Sequence, residues 1–278
     1  MQFTKRAALG AVLAGSLALS ACGGGGGKSG GDTLDRDDVT GVINGTLNDD
    51  GPARDGGAMT VYDTADSPSL DISAASFNIH SQLSGLVYNK LLRYDTGRDI
   101  KYGAQQLEGD LAESWDVSED GLTWTFKLRK GVKFQNVAPV SGREFTAADV
   151  VCTIDHINTT PGAVQAGLMS IVSKVDTPDD YTAVFTLKSP FAAFDQSVAS
   201  YNMEIIPCEA ARGEFDMKEV AIGTGPFILD TWDKKISKTY VKNPDYFEPG
   251  KPHLDKLTIL VMPDQAAQIA AYRTKQLD

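Results

Sequence analysis

The chain has 278 residues, of which 42% are hydrophobic, and a net charge of −11; this supports a sizeable core and predicts about two domains. The acidic balance argues against nucleic acid as a partner, because such binding depends on clustered Lys and Arg side chains that neutralise phosphates. It also argues against electrostatic adhesion to anionic lipid.

Residues 1–22 are typical of a targeting segment. Lys5 and Arg6 precede the apolar stretch Ala7–Leu19, which is too short to cross the ~30 Å hydrocarbon core of a bilayer as a helix. The following Leu-Ser-Ala-Cys resembles a bacterial lipobox and predicts cleavage before an acylated Cys22. The chain would then be exported and lipid-anchored on the outer face of the cytoplasmic membrane, or on its periplasmic side. The alternative is an ordinary secretory signal with an incidental cysteine.

Residues 23–57 are predicted to be a flexible tether rich in Gly and Asp. The run around Lys28 is not a phosphate-binding loop, because Cys22 stands where that pattern requires glycine. A short strand over 39–47 is the one element that this stretch suggests.

Alternating apolar and polar residues predict strands in the next part of the chain. Ala58–Asp63 is predicted to be the first core strand, and Phe77–Leu92 a helix with apolar residues near helical spacing. In the central hairpin Leu111–Phe134, Trp124 and Phe126 alternate with polar residues, and Ser118–Gly121 forms the turn.

Later elements continue this mixture of helices and hairpins, which predicts a mixed α/β class. Thr146 is a suitable N-cap and Asp149 lies in the first turn of the helix that it begins. The predicted helices are 147–157, 163–172, 191–199 and 266–272; the predicted hairpins are 171–188 and 226–242; the predicted strands are 204–207 and 257–262.

Catalytic and metal-binding motifs were sought and not found in the sequence. His80, His156 and His253 lack the spacing of metal ligands, and there is no nucleophile motif of the G-x-S-x-G kind. We therefore expect a protein that is not an enzyme and that needs no cofactor or metal. Cys152 and Cys208 form an even pair once Cys22 is lipidated, which predicts a disulfide after export; two buried free thiols are the alternative.

Several motifs in register resemble those of the family 5 extracytoplasmic solute-binding proteins, the peptide- and nickel-binding subunits of ABC importers. The resemblance runs from about residue 61 to 278. It is carried by LAESWDVSEDGLTWTFKLRKGVKF at 111–134, FTAADVV at 145–151, VYNKLLRYD at 87–95, GTGPF at 223–227, KNPDYF at 242–247 and LDKLTILVMPD at 254–264.

This resemblance implies a periplasmic-binding-protein-like (type II) fold of two lobes. Residues 58–92 and 189–278 would form the first lobe and 93–188 an extra subdomain. Because 272–278 resembles the element before the crossover, the chain is expected to be the N-terminal half, without the second lobe, and to bind ligand more weakly than a longer form.

The resemblance also implies a function and partners. The protein would be a monomer that captures a peptide-like or similar small solute and delivers it to an ABC permease in the membrane. The alternative is a surface lipoprotein that uses the same fold for sensing or interaction without transport.

This resemblance implies that two segments and one further tyrosine are candidates for ligand contact. Leu70-Asp71-Ile72 resembles a family element that precedes a cleft-lining segment, although Ile72 replaces its proline. The GTG sequence either makes a tight turn or lets the backbone approach a ligand. The candidate ligand residues are Ser76, Phe77, Asn78, Tyr201, Gly223, Thr224 and Gly225.

Overall fold

The computed structural model describes residues 53–73, 77–96 and 105–278, except for the side chains of 77, 78 and 80. The leader with Cys22, the tether as far as residue 52 and the strand expected at 39–47 therefore lie outside the described residues. All described residues belong to one compact unit, and the predicted lobe and subdomain boundaries stay a proposal.

The first sheet combines the first core strand with three strands from the end of the chain. Its order is β1–β10–β9–β8, where β1 is Ala58–Asp63, β8 is Phe227–Asp233, β9 is Ser237–Lys242 and β10 is Lys256–Val261. β1 runs parallel to β10, and the other two pairings are antiparallel. The predicted hairpin at 226–242 and the predicted strands Ala58–Asp63 and 257–262 are confirmed.

The second sheet is built from the two other predicted hairpins. Its order is β4–β5–β7–β6, all antiparallel, where β4 is Ala112–Val117, β5 is Thr123–Leu128, β6 is Val172–Asp179 and β7 is Thr182–Leu187. Trp124, Phe126 and Leu128 are buried while Lys127 is exposed, as the period of two predicts. A separate pair, β2 (Leu92–Tyr94) and β3 (Leu107–Gly109), leads into this sheet.

The longest helix confirms the predicted cap. α2 (Ala147–Thr159) begins after Thr146, whose backbone N–H donates to the Asp149 carboxylate at 3.0 Å. No helix among the described residues is both long and apolar enough to span a membrane. The remaining helices are α1 (Phe77–Leu83), α3 (Ala166–Met169), α4 (Phe194–Val198), α5 (Cys208–Ala211) and α6 (Gln265–Arg273).

Three predicted elements are wrong in extent or type. The helix expected at 163–172 covers only Ala166–Met169. The helix expected over 77–92 ends at Leu83, because Gly85 takes φ +74° and turns the chain. Residues 204–207 do not form a strand. Their backbone is held instead by other groups: Ile205 N donates to the carbonyl of Asn89 at 2.9 Å, and Ile206 N donates to the Thr153 hydroxyl at 3.1 Å.

Two hydrophobic clusters hold the sheets. Aromatic side chains dominate the one beneath the second sheet, where Phe126 and Phe185 meet edge to face with ring centroids 5.4 Å apart and Phe194 packs against both. The cluster beside the first sheet includes the fully buried Leu83 and Tyr240. Each sheet therefore buries one of its faces against nearby helices and loops.

The structure joins Cys152 of α2 to Cys208 of α5 in a disulfide, with Cα atoms 5.2 Å apart. That separation lies within the range that a bridge requires. The bridge closes a loop of 56 residues, which corresponds to about 4 kcal/mol of stabilisation on the chain-entropy model. Arg143 reinforces the same junction, since its guanidinium contacts Asp149 of α2 at 2.6 Å and also the Glu209 carboxylate of α5.

Candidate functional site

The chain just before the first candidate ligand segment is anchored by one residue of α2 and one that follows α2. Gln165 donates its side-chain amide to the carbonyl of Ile72 at 2.8 Å, and the Ser73 hydroxyl lies 3.1 Å from His156 Nε2. Ser76 lies outside the described residues, as do the side chains of Phe77 and Asn78, whose backbone begins α1. The ligand role of these three residues stays a prediction.

The residues before this segment form a loop, 66–73. Its end is held at Ile72 and Ser73, and its beginning is held at Asp66 by a buried charge network. The Lys238 ammonium of β9 is almost fully buried, pairs with the Asp66 carboxylate and donates to Gln82 Oε1 at 2.7 Å. Asp66 also accepts from Trp232 Nε1 at 3.0 Å and from the backbone N–H of Lys235 at 2.8 Å. Burial lowers the pKa of Lys238, whereas the hydrogen bonds to Asp66 outweigh burial and lower the pKa of that carboxyl.

Sequence reasoning missed this network although a signal was present. In β9, Lys238 occupies the same face as the buried Tyr240, at a position where the period of two predicts an apolar residue. A lysine at such a position needs a buried acceptor. Its partner Asp66 is far away in the sequence and was not identifiable.

The GTG sequence lies against the chain that follows α1. The backbone N–H of Gly225 donates to the carbonyl of Val87 at 2.8 Å. A Cβ atom on Gly225 would come within 2.4 Å of the Leu86 carbonyl oxygen, and one on Gly223 within 2.2 Å of the Val87 carbonyl oxygen. Thr224 is fully buried and donates its hydroxyl to Asn89 Oδ1 at 3.0 Å. This geometry favours the structural interpretation of Gly223, Thr224 and Gly225.

Gln135, which sequence reasoning did not single out, completes this contact. Its side chain is fully buried and its amide nitrogen donates to the carbonyl of Phe227 at 2.7 Å, while its backbone N–H donates to the carbonyl of Gly223 at 2.9 Å. The loop after the central hairpin is thereby fixed to the first sheet.

Tyr201 lies at the edge of a cavity of about 490 Å³, which we call the Tyr201 cavity. The tyrosine is 59% exposed. The structure does not bring this cavity together with Gly223 or Gly225, which do not line it. The lining residues are Lys90, Arg93, Tyr94, Thr96, Gln196, Ala199, Ser200 and Tyr201.

A second, more polar cavity of about 500 Å³, the Arg93 cavity, contains Glu108, Asp110 and Tyr246 in its wall. It shares four lining residues with the Tyr201 cavity: Lys90, Arg93, Tyr94 and Thr96. Arg93 Nε contacts Glu108 Oε1 at 2.6 Å, and the guanidinium also pairs with the Glu248 carboxylate. Burial opposes ionisation of Glu248, but hydrogen bonds from Arg93 and Lys251 outweigh it and lower the pKa to about 2. Burial raises the pKa of Asp110.

Among the described residues, no group of three or more His, Cys, Asp and Glu side chains is arranged to hold a metal ion. His253 Nδ1 instead lies 2.8 Å from Asp55 Oδ1. The side chain of His80 lies outside the described residues. The described cavities offer polar and aromatic contact for a small molecule.

Comparisons with known proteins agree with this geometry. The model of "Bacterial extracellular solute-binding proteins, family 5 Middle" matches residues 106–278. "Di/tripeptide-binding protein 1" of Pseudomonas aeruginosa is 33% identical over 208 residues, which are 68% of this chain and 37% of that protein. "Heme-binding protein A" of Haemophilus influenzae is 31% identical over 234 residues, which cover 76% of this chain and 40% of that protein.

Solved structures show the same fold. The ABC transporter-associated periplasmic binding protein DppA from Helicobacter pylori, in complex with the peptide STSA, superposes with a TM-score of 0.70 and 29% identity. The superposition covers 81% of this chain and 46% of that one. The chain thus spans less than half the length of these relatives.

The mixed α/β fold and its cavities therefore define a protein of the periplasmic-binding class, whose members bind solutes and are not enzymes. This chain belongs to the family 5 bacterial extracellular solute-binding proteins. The resemblance, the fold class and the expectation of a binding protein are confirmed.

The contact of the GTG sequence with Val87 makes a testable prediction. Gly225→Ala should lower the free energy of unfolding by about 1–3 kcal/mol, because the new methyl group is forced against the Leu86 and Val87 backbone. Denaturant unfolding followed by circular dichroism measures this. The control is Gly167→Ala in α3, where a Cβ meets no atom within 4 Å. Equal effects of the two changes would contradict the packing account.

The Arg93–Glu248 pair predicts a pH dependence. Since the pKa of Glu248 falls from 4.5 to about 2 on folding, its contribution to stability is complete above pH 4.5 and is lost as the pH falls towards 2. Glu248→Gln should therefore destabilise the protein at neutral pH and approach the unchanged protein near pH 2. Unfolding across this range measures the difference; Glu119→Gln, on the exposed hairpin turn, is the control. A difference that does not vary with pH would refute the assignment.

Proposed function

We propose that this chain is part of a substrate-binding lipoprotein of an ABC importer, which captures an extracytoplasmic peptide-like solute and delivers it to a membrane permease. The observation that carries the proposal is the family match over 106–278. A relative named for di- and tripeptides and a solved neighbour in complex with a peptide support the ligand class.

In this proposal the protein works by conformational change rather than by catalysis. Residues 58–92 and 189–278 form one lobe and 93–188 its extra subdomain. The division of strands supports this, because β1, β8, β9 and β10 form one sheet and β4, β5, β6 and β7 another. Ligand binding favours a closed arrangement of lobes that excludes water, and the permease reads that arrangement. The protein acts as a monomer.

We assign ligand contact to two parts of the lobe. Ser76, Phe77 and Asn78 follow a loop whose two described ends are fixed, at Asp66 by Lys238 and at Ser73 by His156. Tyr201 presents an exposed ring beside a cavity. We assign a structural part to Gly223, Thr224 and Gly225, because their contacts are made with the backbone of Val87 and the side chain of Asn89.

Native mass spectrometry of the protein isolated from its own cells tests the ligand class. We expect a bound di- to hexapeptide. Adding that peptide at 100 times its dissociation constant should stabilise the protein by about 2.7 kcal/mol. Free heme is tested as the competing ligand, because one relative is named as a heme-binding protein. Heme retention without peptide binding would overturn the peptide assignment, and unchanged peptide uptake after gene deletion would favour a sensing protein.

We also propose that Cys22 is the lipid attachment site, on the basis of the Leu-Ser-Ala-Cys sequence after a short apolar segment. A diacylglyceryl thioether together with an N-acyl group supplies several chains, which stable anchoring requires. Cys22→Ser should abolish acylation and leave the leader uncleaved or the protein released. Membrane fractionation and mass spectrometry of the N-terminus measure this. Ser29→Ala in the tether should change nothing; a correctly trimmed, membrane-bound Cys22→Ser variant would refute the proposal.

A further inference from the structure

A single buried ammonium group contacts the chain both before and after the first candidate ligand segment. Lys238 of β9 is 1% exposed and pairs with the carboxylate of Asp66, which begins the loop 66–73. The same nitrogen donates to Oε1 of Gln82, near the end of α1, at 2.7 Å. Two of the candidate ligand residues, Phe77 and Asn78, begin that helix. Lys238 therefore links the loop that precedes these residues to the helix that carries them.

Gln82 extends this link to the end of β1. Its side-chain amide nitrogen donates to Asp63 Oδ2 at 2.7 Å and to the carbonyl of Ala65 at 3.2 Å. Its backbone carbonyl accepts from the hydroxyl of Tyr240, which is also in β9, at 2.8 Å. Hydrogen bonds through Gln82 thus join α1 to both β1 and β9 of the first sheet.

Apolar side chains hold the same region against the sheet in a less specific way. Leu70, Ile72 and Ile79 are buried in the cluster beside the first sheet. Hydrophobic burial is non-directional, so it stabilises the contact without selecting one placement of α1. Hydrogen bonds depend on distance and angle, and the Lys238 network supplies this directional part.

Stability alone does not explain a buried lysine at this position. Removing two charges from water is costly, and replacing a buried ion pair by apolar side chains of similar volume is often neutral or stabilising. The side chain of Lys238 is 2% exposed and that of Asp66 is 9% exposed. Because the acceptors of Lys238 lie on two separate elements, what the lysine adds is their placement relative to each other.

We infer that Lys238 is a positioning residue for solute binding. Its ammonium group joins Gln82 to Asp66 and so fixes α1, with Phe77 and Asn78, relative to the first sheet. Lys238 itself is buried and does not touch the solute. The inference rests on the proposed function through these two candidate ligand residues, and it adds to that function a residue that acts through others.

Hydrogen exchange of the 278-residue chain, followed by mass spectrometry, measures the placement of α1. In Lys238→Met the backbone amides of α1 should exchange about ten-fold faster, because an element that loses a contact opens locally. The amides of β5 and β7 should keep their rates. The matched control is Lys234→Met, because Lys234 lies over the same Trp232 ring, at 4.7 Å compared with 4.9 Å for Lys238, but is exposed and pairs with Glu219.

A double variant separates positioning from stability. Lys238→Met combined with Asp66→Leu replaces both charges by apolar side chains and should recover part of the free energy of unfolding that Lys238→Met loses. Exchange in α1 should stay as fast as in the single variant, because neither new side chain can bond to Gln82. Exchange that returns to its original rate together with stability would show a merely structural role and overturn the inference.

Trialanine, titrated calorimetrically, is the binding probe. Its dissociation constant should rise about ten-fold in Lys238→Met and in the double variant, because a loosened α1 has to be ordered when the peptide binds. Lys234→Met should leave the constant unchanged. Equal binding by the unsubstituted chain and Lys238→Met would overturn the inference, and so would a lack of binding to the unsubstituted chain.

A thermal unfolding curve for each variant verifies folding, and the double variant supplies both measurements if Lys238→Met alone does not fold. Failure of the inference differs from failure of the proposed function. A protein that retains a peptide from its cells, but whose α1 exchange does not respond to Lys238→Met, refutes only the inference. Faster α1 exchange and weaker trialanine binding in Lys238→Met, without any peptide retained from cells, refute only the peptide assignment.

Discussion

The contact between the GTG sequence and the chain after α1 is the constraint on which the rest of the structure depends. Gly225 donates to the Val87 carbonyl, and Gln135 reaches the same place from the loop after the central hairpin. Three distant parts of the sequence thus meet here, and neither Gly223 nor Gly225 has room for a Cβ atom. Because Asn89 and Lys90 lie two and three residues after Val87, this contact also helps to position the parts of the cavity walls that they form.

Charged residues reinforce the places where separate elements meet. Arg93 connects β2 to Glu108 of β3 and to Glu248, Arg143 connects Asp149 of α2 to Glu209 of α5, and Lys238 connects β9 to Asp66. For the buried Lys238–Asp66 pair, removing one partner leaves a charge without compensation, which costs more than the intact pair contributes. These pairs therefore specify one arrangement of elements, and the disulfide between Cys152 and Cys208 lies beside one of them.

The same arrangement suits a binding protein. A loop anchored at Asp66 and Ser73 holds its intervening residues in place, so that it has little to reorganise when a ligand arrives. Preorganisation of this kind reduces the entropy lost on binding. The energy of ligand contact then remains available for the change in lobe arrangement that we propose the permease recognises.

The sequence by itself determined the strands, because the alternation of Trp124, Phe126 and Leu128 with polar residues reflects local geometry. It also determined the α2 cap, the mixed α/β class and the family, through motifs that lie close together in the chain. Only the tertiary structure decided where α1 ends and that 204–207 is not a strand. It also decided which groups pair with Lys238 and Gln135. These depend on contacts between residues far apart in sequence, and periodicity carries no information about which distant group will satisfy a buried donor.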